Sequence, residues 1–430
     1  MKFRRLVTVI AIFTVVALIG NFMEFGGRKN RISQNYPAIA CPDVGAGTTM
    51  QLSLTDKKKL IRKISGNRIK LSPAKNTRVI SNSGSILVEG EGINSLAWIS
   101  KSGIWAGGVT CLAPQERQYF VGASADISSK SQLVLVNSGL STSTVEVRVF
   151  SENSSFKKSL TVKQNKTVKQ SLVSLAPGSK VVALSITPKT GRISAFLVDE
   201  RTKGLQTLGG DLVNSQSQLE KTLYIPAIVH NNNVDKTHVL RVLNPNNINT
   251  NITVELISSD GRYVPVGLDN RKVNADRTVD FSFDFEGKKK IFAMKITSDQ
   301  PIAASVFSRV QEKGKTDFLW STPVVPQTTG TWAITGLDPL FVVSGNDIRV
   351  SLTVMLSNGK KKSKIITGTD LSTYQLPTGA VGVRIDSISR GNSAALIVNS
   401  QSGTGYLPLI RGSQLTRSTV PTANIGVLNP

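Results

Sequence analysis

The chain has 430 residues, with 52 lysines and arginines against 28 aspartates and glutamates, a formal charge of +24, and two cysteines and two histidines. That length exceeds one ordinary hydrophobic core and calls for about two to four domains. So few histidines and cysteines leave little material for a zinc site or for a serine or thiol nucleophile with its base, and charge of this sign points to polyanions as partners.

The first element is LVTVIAIFTVVALIG, Leu6 to Gly20, which holds no charged side chain and follows Lys2, Arg4 and Arg5. An apolar run of about 15 residues, or about 18 if Phe22 and Met23 join it across Asn21, falls between a signal-peptide core and a full span. No clean small-x-small cleavage site follows, so residues 1–29 are expected to be a cytoplasmic tail and an uncleaved signal-anchor helix. An amphipathic core helix would carry a polar stripe, whereas only two threonines interrupt this run. The cationic tail sets the orientation by the positive-inside rule, against the weaker bias of Arg28, Lys29 and Arg31. The expectation is a single-pass protein of the cell membrane with the bulk of the chain extracellular. Its partners are then the membrane, through the N-terminal helix, and an anionic cell-wall polymer, glycan or envelope protein. Nucleic acid is not expected, and the competing reading of the charge is solubility alone.

Cys41 and Cys111 come next. Two thiols in an exported chain most simply form one disulfide, which would close a loop of about 70 residues and stabilise the fold by roughly 4 kcal/mol on the chain-entropy model. No histidine lies between them to complete a zinc site.

From Cys41 onward the hydrophobic period is two. Val145, Val147 and Val149 alternate with Thr144, Glu146 and Arg148, and Ile252, Val254 and Leu256 with Thr253 and Glu255, the pattern of half-buried strands. Only Lys57 to Ile64 offers a short helical stripe. An internal repeat is visible at an offset of about 107 residues, the size of one β-sandwich domain. LVLVNSGLSTSTVEVRVFSENSS, from Leu133, parallels HVLRVLNPNNINTNITVELISSDG, from His238, and a weaker third copy includes VSLTVMLSNGKKKSKIITG. The predicted fold is all-β, tandem immunoglobulin-like β-sandwich modules after one N-terminal transmembrane helix. The units are a small β-rich N-terminal unit at 30–115, module one at 116–219, module two at 220–326 and a divergent module three at 327–430.

These features together resemble a known family. Cys41-Pro42, Cys111 to Pro114, Phe120-Val121-Gly122 and the L-x-L-V-N-x-G run from Leu133, ahead of tandem repeats and behind a signal-anchor, are similar to the membrane-anchored secreted proteins of actinobacteria grouped as a domain family of unknown function. The resemblance implies an envelope location, β-sandwich modules and a Cys41–Cys111 pairing, and brings no catalytic residue with it.

Motifs for chemistry are sparse. Gly45-Ala46-Gly47 and Gly107-Gly108 lack the strand-to-helix context of a phosphate loop and read as turns. His230 and His238, in HNNNVDKTH, lack a third ligand and read as surface residues. Paired carboxylates for glycoside hydrolysis would come from Asp199, Glu200, Glu255, Asp280, Asp284 and Glu286. Trp98 and Trp105 are the candidates for stacking on a glycan, while Trp320 and Trp332 flank the junction at Pro326 and read as packing between modules. No catalytic, cofactor or metal residue is assigned. The function expected is a non-enzymatic envelope protein that binds or scaffolds; the alternative is an accessory subunit or enzyme of envelope glycan assembly.

Overall fold

The computed structural model describes residues 38–413 apart from 66–70, 90–93, 102–103, 205, 232–235, 313–314 and 327–328. These residues are all-β, without a helix. None of the described residues forms a helix long and apolar enough to cross a membrane; the Leu6 to Gly20 segment lies outside them. Lys57 to Ile64 is not helical either: Leu60–Ile64 is a strand whose residues alternate, with Arg62 and Ile64 buried and Lys63 exposed.

Four groups of strands follow one another. The first holds β1 (Ala38–Cys41), β2 (Thr48–Ser53), β3 (Leu60–Ile64), β4 (Ser72–Pro73), β5 (Arg78–Ser81), β6 (Ser85–Glu89), β7 (Leu96–Lys101) and β8 (Trp105–Thr110). The second holds β9 (Gln118–Val121), β10 (Gln132–Asn137), β11 (Ser143–Ser151), β12 (Ser155–Val162), β13 (Lys166–Ser171), β14 (Val182–Pro188), β15 (Ile193–Lys203) and β16 (Gln206–Val213). The third runs β17 (Glu220–Val229), β18 (Thr237–Asn244), β19 (Thr250–Ser258), β20 (Gly261–Tyr263), β21 (Arg271–Val273), β22 (Arg277–Asp284), β23 (Ile291–Glu312) and β24 (Lys315–Ser321). The fourth comprises β25 (Gly330–Ala333), β26 (Leu340–Leu356), β27 (Lys361–Gln375), β28 (Ala380–Ile388), β29 (Ser393–Ser400) and β30 (Gly403–Pro408).

The pairing order is the same in all four. In the first group one sheet runs β1-β6-β3-β4 and the other β5-β2-β7-β8; in the second the orders are β9-β14-β11-β12 and β13-β10-β15-β16. In the third, β23 is two successive strands in one: Ile291 to Ser298 pairs with β17 and β19, and Ala303 to Glu312 with β18 and β24. In the fourth, β26 does the same, its two arms meeting at the register shift between Gly345 and Ile348. The N-terminal stretch therefore has the same eight-strand plan as the repeats, although its strands are short and its sequence carries no trace of the 107-residue offset.

Each pair of sheets closes on alternating apolar residues. Val145, Val147 and Val149 of β11 meet Leu133 and Leu135 of β10, and Ile252, Val254 and Leu256 of β19 meet Leu240 and Val242 of β18. Fully burying one such side chain stabilises the fold by roughly 1.5–3 kcal/mol. The cores do not stop at the group boundaries. Phe307, Phe318 and Trp320 of the third group complete the core of the second, and Leu96, Trp98 and Ala106 of the first join that of the fourth.

The disulfide is present: Cys41 in β1 is bonded to Cys111, just beyond β8, with Cα atoms 4.6 Å apart. It ties the first strand of its group to the last.

Candidate functional site

The last strands of the four groups come together. β8 packs against β16 and β30, and β24 against the same two, so the four strands form a closed cycle in which the first group contacts the last. Such an approach requires very small side chains. A Cβ at Gly210 would lie 2.8 Å from the indole of Trp105, and Gly107, Gly108 and Gly405 are equally crowded by Asp211, Leu407 and Trp98. Gly210→Val is expected to destabilise the protein by about 1–3 kcal/mol through overpacking, read as a lowered denaturant midpoint with an unchanged slope.

A cluster of acids fills this junction. Asp199 and Asp211 are direct cross-strand partners on β15 and β16, a pairing that is destabilising when both are charged. The neighbouring group supplies their donors. The Trp320 amide donates to Asp211 at 2.7 Å and the Trp320 indole to Asp199 at 2.9 Å. In return the Gly210 amide donates to Asp317 at 3.0 Å. Toward the first group, Glu200 accepts from the Trp105 indole at 3.2 Å and from Lys101 at 2.8 Å, while Asn214 accepts from the Thr110 amide and donates to the Gly108 carbonyl. Side-chain acids thus bond to the backbone and indoles of adjacent groups.

Asp199 and Asp211 have no exposed surface and Asp317 is 3% exposed. Ser131 and Arg201 hold Asp199. Among the described residues Asp211 is paired with no cation, and its Oδ1 finds no hydrogen-bond partner. Burial pushes it well above the usual carboxylate range; the amides of Trp320 and Leu212 oppose the rise, and the nearby Asp317 and Asp199 add to it. Burial likewise raises Asp317 to about 7 against the pull of the Phe318, Gly210 and Ala106 amides. Enclosed in this way, the carboxyls are placed to bind protons and to hold strands together.

Sequence reading identified Asp199 and Glu200 among the candidate carboxylates and missed Asp211 and Asp317, which lie on the last strands of successive repeats. Asp280 is ion-paired with Arg241 at 2.7 Å, and Glu255 lies between Arg262 and Lys295. Asp284 and Glu286 line a shallow open cleft of about 440 Å³ beside Tyr263 and Val266. The reading of Trp98 and Trp105 as glycan-stacking residues is corrected. Trp105 is wholly buried and Trp98 7% exposed, because Gly210 of the second group lies against the Trp105 ring and Gly405 of the fourth against that of Trp98. Trp320 is buried between groups and Trp332 within the fourth core.

His230 and His238 are not surface residues. They are 2% and 1% exposed, their rings linked by Nδ1···Nε2 at 3.0 Å, with His238 also bonded to Ser308 at 2.8 Å. Phe283, Phe285 and Phe292 surround them. Strand alternation turns His238 inward with Leu240, a signal that the polar loop around it obscured. Among the described residues no group of three His, Cys, Asp or Glu is placed to hold a metal ion.

The outer edges are basic. Lys157 and Lys158 of β12, Lys166 and Lys169 of β13, and Lys361, Lys362 and Lys364 of β27 are exposed. Lys158, Lys361 and Lys362 have no acidic partner among the described residues, whereas Lys157 pairs with Glu146 and Lys169 with Asp43.

The fold therefore defines an all-β protein of repeated sheets, closed through its last strands and stapled by one disulfide. The chain belongs to DUF5719, a family of unknown function whose model matches residues 101–404. No curated protein matches the sequence. Among solved structures it is similar to a tetra-tandem repeat in the extending region of a large adhesion protein, at 14% identity, over 88% of this chain and 95% of that one, with a TM-score of 0.11. Superposition that poor lends no support to a shared arrangement.

Proposed function

We propose that the protein is a non-enzymatic scaffold of the cell envelope, displaying four immunoglobulin-like β-sandwich modules outside the membrane and holding an anionic wall polymer against their basic edges. In this reading Leu6 to Gly20 is the signal-anchor, and Lys2, Arg4 and Arg5 keep the short tail in the cytoplasm. The observation that carries the proposal is the separation of charge. Acids that would offset the positive field are drawn into the junction as Asp199, Asp211 and Asp317, while unpaired lysines stand on the edge strands β12 and β27. Lysines also keep exposed edges from pairing with other chains, a role compatible with polymer binding.

The test is retention of the full-length chain on a phosphate-rich wall polymer across a salt series. Electrostatic binding predicts retention that falls steeply between about 50 and 500 mM salt as screening shortens the reach of the charges. Lys158→Glu with Lys361→Glu and Lys362→Glu is expected to weaken it at least about tenfold, the scale of 1.4 kcal/mol. Salt-resistant retention, or no effect of the triple variant, would overturn this reading.

A further inference from the structure

We propose that the carboxyl cluster at the meeting of the four last strands is a pH-sensitive clasp, which holds neighbouring modules together while its acids are protonated and loosens as they ionise. The geometry requires a proton. Asp211 faces Asp199 across a strand pair and lies near Asp317 across a module boundary, and among the described residues the cation bonded within this trio is Arg201, on Asp199. β8 and β30, which complete the enclosure, bring no lysine, arginine or histidine; Tyr406 of β30 donates its hydroxyl to the Thr322 carbonyl. Lys101 is engaged by Glu200, and Arg241 is held by Asp280 and lies over the Trp320 ring without reaching the acids. A second or third negative charge here would go uncompensated in a low-dielectric interior.

The strands held by these acids are the ones that would separate. Trp320 is fixed to Asp199 and Asp211, and Gly210 to Asp317, so hydrogen bonds in both directions between β16 and β24 run through these carboxyls. Ionisation strengthens each individual hydrogen bond but places repelling charges on both sides of the boundary.

The direction with pH follows from linkage. A carboxyl with a raised folded-state pKa stabilises the fold most below its ordinary value of 3.8, and that contribution is lost as pH rises to about 7, where Asp317 titrates. Asp211, which burial also raises well above the usual carboxylate range, acts in the same sense. Each carboxyl alters the folding equilibrium by up to about tenfold per pH unit within its window.

The experiment compares the full-length protein with Asp317→Asn and Asp211→Asn at pH 5 and pH 8. Asparagine mimics the protonated acid and cannot ionise. Chemical unfolding is expected to show wild type losing stability relative to Asp317→Asn by at least about tenfold between the two pH values. Hydrogen exchange, corrected for its intrinsic pH dependence, is expected to show the Gly210 amide losing protection at pH 8 in wild type but less so in Asp317→Asn, and the Trp320 amide behaving likewise against Asp211→Asn. A wild-type to variant stability ratio that stays constant from pH 5 to pH 8 would overturn the proposal. Should Asp211→Asn fail to fold, the Asp317→Asn comparison decides alone; equal pH dependence of the Gly210 amide in wild type and that variant would likewise overturn it.

Discussion

Arg241→Ala is expected to destabilise the protein by roughly 1–3 kcal/mol, the cost of leaving buried hydrogen-bond acceptors unsatisfied, since Asp280 is 28% exposed and can take up water in place of the guanidinium. Arg241 is 3% exposed, on β18 of the third group. Its guanidinium holds Asp280 through two nitrogens, at 2.7 and 2.9 Å. It also crosses the group boundary to the carbonyls of Ala123, Val182 and Lys180, and its flat face covers Trp320 at 5.1 Å. Truncation removes a donor from the Ala123 and Lys180 carbonyls, uncovers the indole that anchors the acid cluster, and leaves Asp280 without its cation. Arg241→Lys is expected to recover only part of the loss, because one ammonium cannot reproduce a planar fork. Denaturant unfolding of the three proteins measures both effects, and an Arg241→Ala cost below about 1 kcal/mol, the range of surface ion pairs, would show that the contact contributes little.

Arg241 is one of several such bridges. Arg62 spans from the first group to Asn165 and the Ser138 carbonyl of the second, and Arg262 from the third to Asp370 and the Gly345 carbonyl of the fourth. Closure from fourth to first uses amides instead: Gln51 donates to the Thr335 carbonyl and Asn94 to that of Thr331. Planar donors are placed where two sheets end against each other and carbonyl oxygens would otherwise lack partners.

The class of fold was legible because strand periodicity is local. Val145, Val147 and Val149 alternate in sequence and in burial alike, and the repeat beginning at Leu133 and His238 marks β10–β11 and β18–β19. The junction was not legible, since its members come from β7, β8, β15, β16, β24 and β30, and nothing within a strand's own sequence states which distant strand it will face. Asp211 follows two glycines and Asp317 follows Thr316; both look like ordinary solvated acids at strand ends. Tryptophans misled for the same reason. Trp105 reads as an exposed aromatic until Gly210, far away in the chain, is seen to receive its ring. His238 shows the opposite failure, for its inward position on β18 was readable from period two but was overruled by the polarity of the adjoining loop.

Replacing both cysteines by alanine is expected to cost roughly 4 kcal/mol, the chain-entropy value for a loop of the 70 residues separating Cys41 from Cys111. The first group is the one that most needs such a staple. Its strands are four to six residues long apart from the two-residue β4, against up to 11 in the second group, so most of them bury less apolar surface and make fewer ladder bonds. The bond also secures the closing contact. The Cys111 amide donates to the Ser95 carbonyl, Ser95 forms a bridge to Ala333, and the Ala113 amide donates to the Gly412 carbonyl. Loosening β1 from the end of β8 therefore releases the edge on which the fourth group rests. Unfolding of wild type with and without a strong reductant is expected to show a drop in midpoint that the double variant does not show. Hydrogen exchange is expected to place the early loss of protection in residues 38–113 and at Ala333, with β10 and β18 still protected. Equal loss in all four groups would mean that closure, not the first group, is the weakest point, and no response to reductant would mean that the cores alone hold the first and fourth groups together.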